Sequence, residues 1–298
     1  MGGPAATFLP FKDRLIDSAA FCLIDRPGLG HSPIPNDYDG SSFTSGQVLS
    51  NLLFNLVSSD HIYSSYFHNK KLVLASHSIA GANDRIVYND VASLSGALLF
   101  DATTHHCLDR SYAIKYHNYT GRFLTSEAYG VLFDSIPRPL GTFLRGFGAV
   151  SMMSYPSWAA LPDHGPYIGG FYRTEKHQRA WARELSQYRA DSLELISEYL
   201  EEHRPGQDDR DILEDKPVHV FSAGKAPEYL PLPEAEIEYW GGILQSDHLL
   251  MSSRSVQHRC VDCDHFMMSW NMDFVEPIVR TFLKEILKGK NRRCVMIW

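Results

Sequence analysis

The stretch "KLVLASHSIAGAN", residues 71–83, decides the fold of this chain. Its apolar first half predicts a buried strand, and the small residues that follow predict a tight turn into a helix. Ser78 lies in the middle of that turn, where a hydroxyl is exposed if the residues two positions away are small. Those residues are Ser76 and Ala80. The stretch therefore predicts a strand, a sharp turn with a candidate nucleophile, and a helix.

Strand-like and helix-like segments alternate along most of the chain. Five short apolar runs predict strands, at residues 19–25, 71–76, 96–101, 217–224 and 257–263. Apolar residues at helical spacing predict helices at residues 44–59, 79–93 and 274–289. Nearly continuous apolar strands that alternate with helices are typical of a parallel sheet covered on both faces. We therefore predict an α/β fold with a mainly parallel sheet.

One long segment, residues 105–213, has a different texture and interrupts this alternation. Its first half is rich in aromatic residues, glycine and proline, and residues 174–203 form a charged amphipathic pattern that predicts one helix. Open α/β sheets bind ligands at the carboxyl ends of their strands, where such an insertion forms a cover. We predict a helical lid at 105–213 and a core built from residues 1–104 and 214–298.

Composition excludes several classes of protein. The 298 residues are 44% hydrophobic, which suffices for one large domain with an insertion. A net charge of −7 and a pI near 6.0 give no field that attracts nucleic acid or anionic lipid. The apolar runs are far shorter than the roughly 20 residues of a membrane-spanning helix. We expect a cytoplasmic protein with a small-molecule substrate, and we assign no oligomeric state.

Five cysteines are scattered along the chain, which is typical of neither a disulfide framework nor a zinc domain. Cys260 and Cys263 form a C-x-x-C motif, with His258 and His265 nearby, so we considered zinc. No second C-x-x-C completes a tetrahedral site. We therefore expect neither a metal nor a cofactor, and we interpret these two cysteines as small apolar residues of the last strand.

Ser78 needs a histidine as its base. A serine hydroxyl is a weak nucleophile until a histidine accepts its proton, and a carboxylate must orient that histidine. Among 14 histidines, His265 directly follows the last predicted strand and precedes the last helix. Its rivals are His248, in a predicted helix, and His105 and His106, after the third strand. We prefer His265.

Four segments of the chain resemble the α/β-hydrolase family. These are "FCLIDRPGLGHS" (21–32), "LVLASHSIAGA" (72–82), "GALLFDAT" (96–103) and "CDHFMMSWNMDFVEPIVRTFL" (263–283). They are similar to a strand and turn, the nucleophile elbow, the next strand, and the histidine loop with the closing helix. The resemblance implies that Ser78 is the nucleophile, His265 the base, and the Ile79 amide an oxyanion donor.

Two acids can complete the triad that the resemblance implies. The family most often has an acid a few residues after the strand that here reads "HVFSAG" (219–224), where Pro227 precedes Glu228. Other members have it at the end of the strand after the elbow, which here gives Asp101. We prefer Asp101 because the strand end fixes its position without a special loop.

The first residues, "MGGPAATFLPF", resemble the family's H-G-G-P oxyanion loop with Met1 in place of the histidine. Gly3 is then the second oxyanion donor, since Pro4 has no N–H. In the family a strand precedes this loop and pairs in the middle of the sheet. If the protein begins at Met1, we therefore expect an N-terminally truncated sheet, with either an open central slot or altered pairing, and impaired activity.

These observations lead to two functional hypotheses. The first is hydrolysis of an ester, lactone or similar acyl bond of an apolar small molecule through a Ser78, His265 and Asp101 triad. The second is a catalytically impaired protein of the same fold that binds a small molecule without converting it. The replaced elbow glycines and the predicted slot motivate the second hypothesis.

Overall fold

The structure is a computed structural model that describes residues 4–57, 70–108, 163–172, 174–187, 190–207, 209–225, 237–286 and 293–297. Within these ranges the chain forms one six-stranded sheet. Its strands are β1 (Ala20–Leu23), β2 (Lys71–His77), β3 (Leu94–Phe100), β4 (Val218–Ala223), β5 (Ser255–Cys260) and β6 (Arg293–Ile297). The strand order is β1-β6-β2-β3-β4-β5, and every neighbouring pair is parallel. The predicted α/β fold with a mainly parallel sheet is confirmed.

The described helices cover both faces of this sheet. They are α1 (Leu9–Leu15), α2 (Ser42–Val57), α3 (Ala80–Asp90), α4 (Gly165–Tyr172), α5 (Glu175–Gln187), α6 (Ala190–His203), α7 (Met267–Trp270) and α8 (Met272–Ile286). Helices α2, α3 and α6 pack together on one face, and α1, α7 and α8 pack together on the other. None of the helices in the described part of the chain combines the length and apolar character needed to cross a bilayer.

Burial of both faces explains the continuous apolar run of β2. Leu72 and Leu74 pack in the cluster beneath α2, α3 and α6, whereas Val73 and Ala75 pack in the cluster beneath α1, α7 and α8. Successive side chains of a strand point to opposite faces of its sheet. A strand that is buried on both sides therefore has no polar alternation.

Strand β6 decides between the two alternatives for the middle of the sheet: the open slot is wrong, and the sheet closes with altered pairing. Residues 293–297 lie between β1 and β2, with Val295 in register with Phe21 on one side and Val73 on the other. Val295 and Ile297 are completely buried. The backbone groups that the slot would have left unpaired are thus bonded to β6, and its apolar residues fill the space between the two layers of helices.

The segment predicted as a lid is described only in part, because residues 109–162 lie outside the described ranges. Within the expected helix over 174–203 the structure describes α5 and α6, and residues 188–189 between them lie outside the described ranges. Helix α5 lies on the turn after β1: Lys176 Nζ donates to the carbonyl oxygens of Gly30 and Ser32, both at 2.8 Å. The division into a core and a lid stays a prediction.

Candidate active site

Ser78 lies in a strained turn between β2 and α3. Its φ of +57° falls in the left-handed region, which non-glycine residues rarely adopt. Its amide donates to the carbonyl oxygen of Phe100 at 3.3 Å, and its own carbonyl accepts from the amides of Thr103 at 2.8 Å and Gly81 at 3.1 Å. These bonds to the end of β3 and the first turn of α3 hold the unusual conformation.

The close approach of strand and helix that this turn requires is made at Gly81. A Cβ atom at Gly81 would lie 2.6 Å from the Cβ of Ala102 and 2.9 Å from the carbonyl oxygen of Thr103. Ser76 and Ala80, which replace the usual glycines, are completely buried and fit where they are. The position that needs a glycine is therefore Gly81, one residue after the second glycine of the G-x-S-x-G pattern, and it was not predicted from the sequence.

Asp101 and His265 meet at the carboxyl edge of the sheet. The Oδ2 atom of Asp101 lies 2.6 Å from Nδ1 of His265, and its Oδ1 accepts the amide of Ala223 at 3.1 Å. Asp101 is only 2% exposed and, like Ser78, has a positive φ, of +42°. The end of β3 and the end of β4 thus fix a carboxylate whose two oxygens are both engaged.

His77 contacts the loop that carries His265. Its Nε2 lies 2.8 Å from the backbone carbonyl oxygen of His265, and the two ring centroids are 4.3 Å apart. Burial, and next the charge of His265, hold the pKa of His77 well below its usual value. A neutral imidazole that faces a carbonyl must have its proton on Nε2, so His77 donates this bond.

Cys260 and Cys263 form a disulfide directly before the histidine loop. Both cysteines are buried among apolar residues, as expected, and Cys260 ends β5. The placement of Cys263 in the strand is wrong, because the chain turns after Cys260. The Gly224 amide donates to the carbonyl oxygens of Cys260 at 2.8 Å and Cys263 at 3.2 Å. These bonds attach the turn to the end of β4, next to the residue that binds Asp101.

The Ser78 hydroxyl makes no hydrogen bond within the described ranges, and thus none to His265. Catalytic hydrogen bonds are often long in the absence of substrate and tighten when it binds. The Ile79 amide, at the start of α3, also makes no hydrogen bond to any described residue. A free amide beside a candidate nucleophile is what an oxyanion donor requires.

Ser78 lines a small pocket whose walls are both apolar and polar. Its lining residues are Pro4, Ala5, Thr7, Phe8, Ile24, Arg26, His77, Ser78, Ile79 and Phe266. The charged member, Arg26, forms a buried ion pair with Glu184 of α5, at 2.8 and 3.1 Å. The pocket therefore places the aromatic rings of Phe8 and Phe266 and the Arg26 ion pair beside Ser78.

The other histidines considered as bases lie in different surroundings. His248 is completely buried; its Nδ1 accepts from Arg85 at 2.7 Å and its Nε2 faces the carbonyl oxygen of Ala102 at 3.0 Å. Burial, and next the charge of Arg85, lower its pKa well below the usual value. His105 and His106 stack on each other, with centroids 3.9 Å apart. The alternative acid Glu228 and the oxyanion candidate Gly3 lie outside the described residues.

A buried acid beneath the elbow was not predicted from the sequence. Asp84 of α3 accepts hydrogen bonds from the hydroxyls of Ser76 and Tyr88, the latter at 3.3 Å. Burial raises the pKa of Asp84 to about 7, against the bonds and positive charges around it. The signal was present in the sequence, since a serine that replaces the elbow glycine needs a buried partner for its hydroxyl.

Comparison with known proteins adds the fold family. No family model and no curated protein matches the chain. Among solved structures it is similar to MenH from S. aureus (TM-score 0.57, 13% identity, 96% of this chain and 91% of that one). It is also similar to an esterase from Thermogutta terrifontis, with a TM-score of 0.56 and 16% sequence identity over 95% of this chain and 86% of the esterase. A hydrolase from Oleispira antarctica is similar to the chain with a TM-score of 0.55 and 13% sequence identity, over 95% of this chain and 88% of the hydrolase. The chain therefore has the α/β-hydrolase fold.

Proposed function

We propose that this chain is a serine hydrolase that cleaves an ester, lactone or similar acyl bond of an apolar small molecule. The observation that carries the proposal is the pairing of Asp101 with His265 at the sheet edge where Ser78 stands in a strained turn. This chain order, serine, acid and histidine, is that of α/β-hydrolases. The likeness to an esterase and a hydrolase of this fold supports the same class of reaction.

In the proposed reaction Ser78 is the nucleophile, His265 transfers the protons and Asp101 orients His265. Nε2 of His265 accepts the proton of the Ser78 hydroxyl, and the Ser78 oxygen attacks the carbonyl carbon of the substrate. Asp101 keeps the other proton of His265 on Nδ1 and stabilises the cation that forms. His265 then gives its proton to the leaving alcohol, and an acyl group stays on Ser78. A water molecule, deprotonated by His265, releases the acid and restores the hydroxyl.

The negative charge of the tetrahedral intermediate needs preorganised donors. We assign one of them to the Ile79 amide, because it lies next to Ser78 and has no other partner in the described structure. The second donor proposed from the sequence is the Gly3 amide. Three of the lining residues, Phe8, Ile24 and Phe266, offer apolar surface to an acyl group.

Labelling with a fluorophosphonate tests this function. The reagent forms a phosphonyl ester with an activated serine, so we expect the wild type to gain one adduct and the Ser78→Ala variant to gain none. Ser246→Ala is the matched control, since that exposed hydroxyl donates only to the Ile243 carbonyl at 2.6 Å. A folded wild type that stays unlabelled, or a Ser78→Ala variant that is labelled equally, contradicts the proposal.

The second candidate is a binding protein of the same fold that does not turn over its ligand. The observation that favours it is the missing hydrogen bond between Ser78 and His265 in the described structure. Calorimetry with long-chain and short-chain esters separates the two candidates. Saturable binding with no acid released supports the binding protein, whereas acid release that depends on Ser78 excludes it.

A further inference from the structure

A single peptide group, between Ala102 and Thr103, is bonded at both ends. Its N–H, on Thr103, donates to the carbonyl oxygen of Ser78 at 2.8 Å. Its carbonyl, on Ala102, faces two buried donors, Nε2 of Gln245 at 2.7 Å and Nε2 of His248 at 3.0 Å. Ala102 directly follows Asp101 in the chain, so this peptide group holds the turn one residue after the acid.

The turn needs support because the backbone of Asp101, the residue before Ala102, has a positive φ of +42°. A left-handed conformation is unfavourable for an aspartate and persists only where the surroundings hold it. Gln245 and His248 are both completely buried, so their hydrogen bonds do not compete with water. They hold the turn from the side opposite to the Ser78 backbone.

His248 can act as a donor because Arg85 fixes its tautomer. Arg85 Nη2 donates to Nδ1 of His248 at 2.7 Å, which leaves the imidazole proton on Nε2, where it points to Ala102. Arg85 is completely buried, and its Nε donates to Asp209 at 2.9 Å. An arginine cannot lose its proton, so the direction of donation along this network is fixed.

The same guanidinium also reaches the nucleophile side of the site. Arg85 Nη1 donates to the carbonyl oxygen of Gly81 at 3.2 Å, in the first turn of α3. Arg85 therefore connects the helix that starts after Ser78 with the turn that carries Asp101. Arg85, Gln245 and His248 do not line the Ser78 pocket.

We propose that Gln245 and His248 are positioning residues, which hold the Ala102 carbonyl and thereby fix the Asp101 carboxylate relative to Ser78 and His265. This inference rests on the proposed function of Asp101 as the acid of the triad. It gives His248 a role different from that of the base considered in the sequence analysis.

Gln245→Leu tests the inference with the least risk to folding, because it removes one of the two donors to Ala102 and leaves the charges in place. The first readout is hydrogen–deuterium exchange of the Thr103 amide, which needs no substrate. We expect exchange to rise about fivefold to tenfold, the ratio that corresponds to one neutral hydrogen bond. The second readout is steady-state kinetics, in which kcat falls about tenfold while KM stays within about twofold.

Gln257→Leu is the matched control. Gln257 Nε2 likewise holds a backbone carbonyl, that of Gly241 at 2.7 Å, and a hydroxyl, that of Ser222 at 2.6 Å, but it contacts no member of the triad. We expect neither the Thr103 exchange nor kcat to change in this variant. For His248, replacement by Phe removes the donor and replacement by Gln keeps one, so we expect Gln to restore most of the kcat that Phe loses.

Two outcomes overturn the inference. One is unchanged Thr103 exchange in Gln245→Leu, which means that Gln245 does not hold the turn. The other is faster exchange with an unchanged kcat, which means that the turn does not position the acid. A wild type that is not labelled at Ser78 contradicts the proposed function instead, and the exchange measurement still decides whether Gln245 holds the turn.

Discussion

Asp101 binds His265 through one carboxylate oxygen and the Ala223 amide through the other, at 2.6 and 3.1 Å. The second bond prevents rotation of the carboxylate about its last torsion. Because Ala223 ends β4, the orientation of the acid depends on a strand that is neighbour to its own. The hydrogen bond from the end of β4 therefore orients the Asp101 carboxylate towards His265.

We expect Asp101→Asn to lower kcat by about 10³-fold to 10⁴-fold with little effect on folding. The amide oxygen can still accept the Ala223 N–H, but the amide nitrogen then faces Nδ1 of His265 as a donor. That contact favours the tautomer with the proton on Nε2, which cannot accept the proton of Ser78. Steady-state kinetics and thermal unfolding of the purified variant check both parts.

Glu228→Gln is the control for this prediction, since Glu228 was the alternative acid in the sequence analysis. We expect it to change kcat by less than about threefold. If Glu228→Gln loses activity as strongly as Asp101→Asn, or more strongly, the choice of Asp101 is wrong, although the roles of Ser78 and His265 are unaffected.

Arg26 and Glu184 form a buried ion pair between the turn after β1 and helix α5. We expect Arg26→Met to lower the free energy of unfolding by about 3–5 kcal/mol, because it leaves the Glu184 carboxylate buried without its partner. The double variant Arg26→Met, Glu184→Leu removes both charges, and we expect it to recover most of that loss. Denaturation in urea measures the free energy of unfolding of the wild type, the Arg26→Met variant and the double variant.

The control for the buried pair is the exposed pair of Arg254 and Glu285, whose side chains are 46% and 36% exposed. Solvent screens such pairs, so we expect Arg254→Met to cost less than about 1 kcal/mol. An equal loss in the two arginine variants would mean that burial does not set the strength of the Arg26 pair, and a double variant no more stable than Arg26→Met would exclude the assigned cause.

The sequence predicted the parts of the site that depend on local structure. Ser78 could be found because a buried strand, a small-residue turn and a helix follow one another within 13 residues. Asp101 could be proposed because a strand end has a defined place in a parallel sheet. Periodicity located the strands and the turn, and the resemblance to the α/β-hydrolase family supplied the roles of Ser78 and Asp101.

The rest depends on contacts between residues far apart in the chain. Residues 293–297 pair between β1 and β2, although they are far from both strands in the chain. The sequence does not predict this pairing, because any short apolar segment fits a buried strand position equally well. The partners of His248 were hidden for the same reason: Arg85 precedes it by 163 residues.

Asp84 makes stability depend on pH in a defined direction. Its pKa is about 7 in the folded chain and 3.8 as the reference value, so between about pH 4 and 7 the folded chain keeps a proton that the unfolded chain has lost. Raising the pH through this window therefore destabilises the fold, by up to roughly 4 kcal/mol. Asp84→Asn stays neutral, and we expect its stability not to decline there.

The measurement is the free energy of unfolding at several pH values between 4 and 8, for the wild type and both aspartate variants. Asp17→Asn is the control: the Arg280 hydrogen bond lowers the pKa of this exposed carboxyl, so its effect appears below about pH 4. We expect its profile between pH 4 and 7 to follow that of the wild type. An Asp84→Asn profile that declines as steeply as the wild type would show that another group causes the decline.

The position of β6 in the middle of the sheet gives a test of the fold itself. Val295 is completely buried between two neighbouring strands, so Val295→Asp places a carboxylate where no partner can reach it. We expect this variant to be unfolded or to lose more than about 3 kcal/mol of stability. Val295→Ala folds and is expected to lose about 1–2 kcal/mol, which thermal unfolding can measure.

Val256→Asp makes the same change in β5, at the edge of the sheet, where the side chain is 47% exposed. An exposed aspartate stays solvated, so we expect this variant to lie within about 1 kcal/mol of the wild type. The contrast isolates burial between strands as the cause, because substitution and strand type are the same. If Val295→Asp is as stable as Val256→Asp, residues 293–297 do not fill the sheet, and the backbone edges of β1 and β2 must be satisfied by another segment.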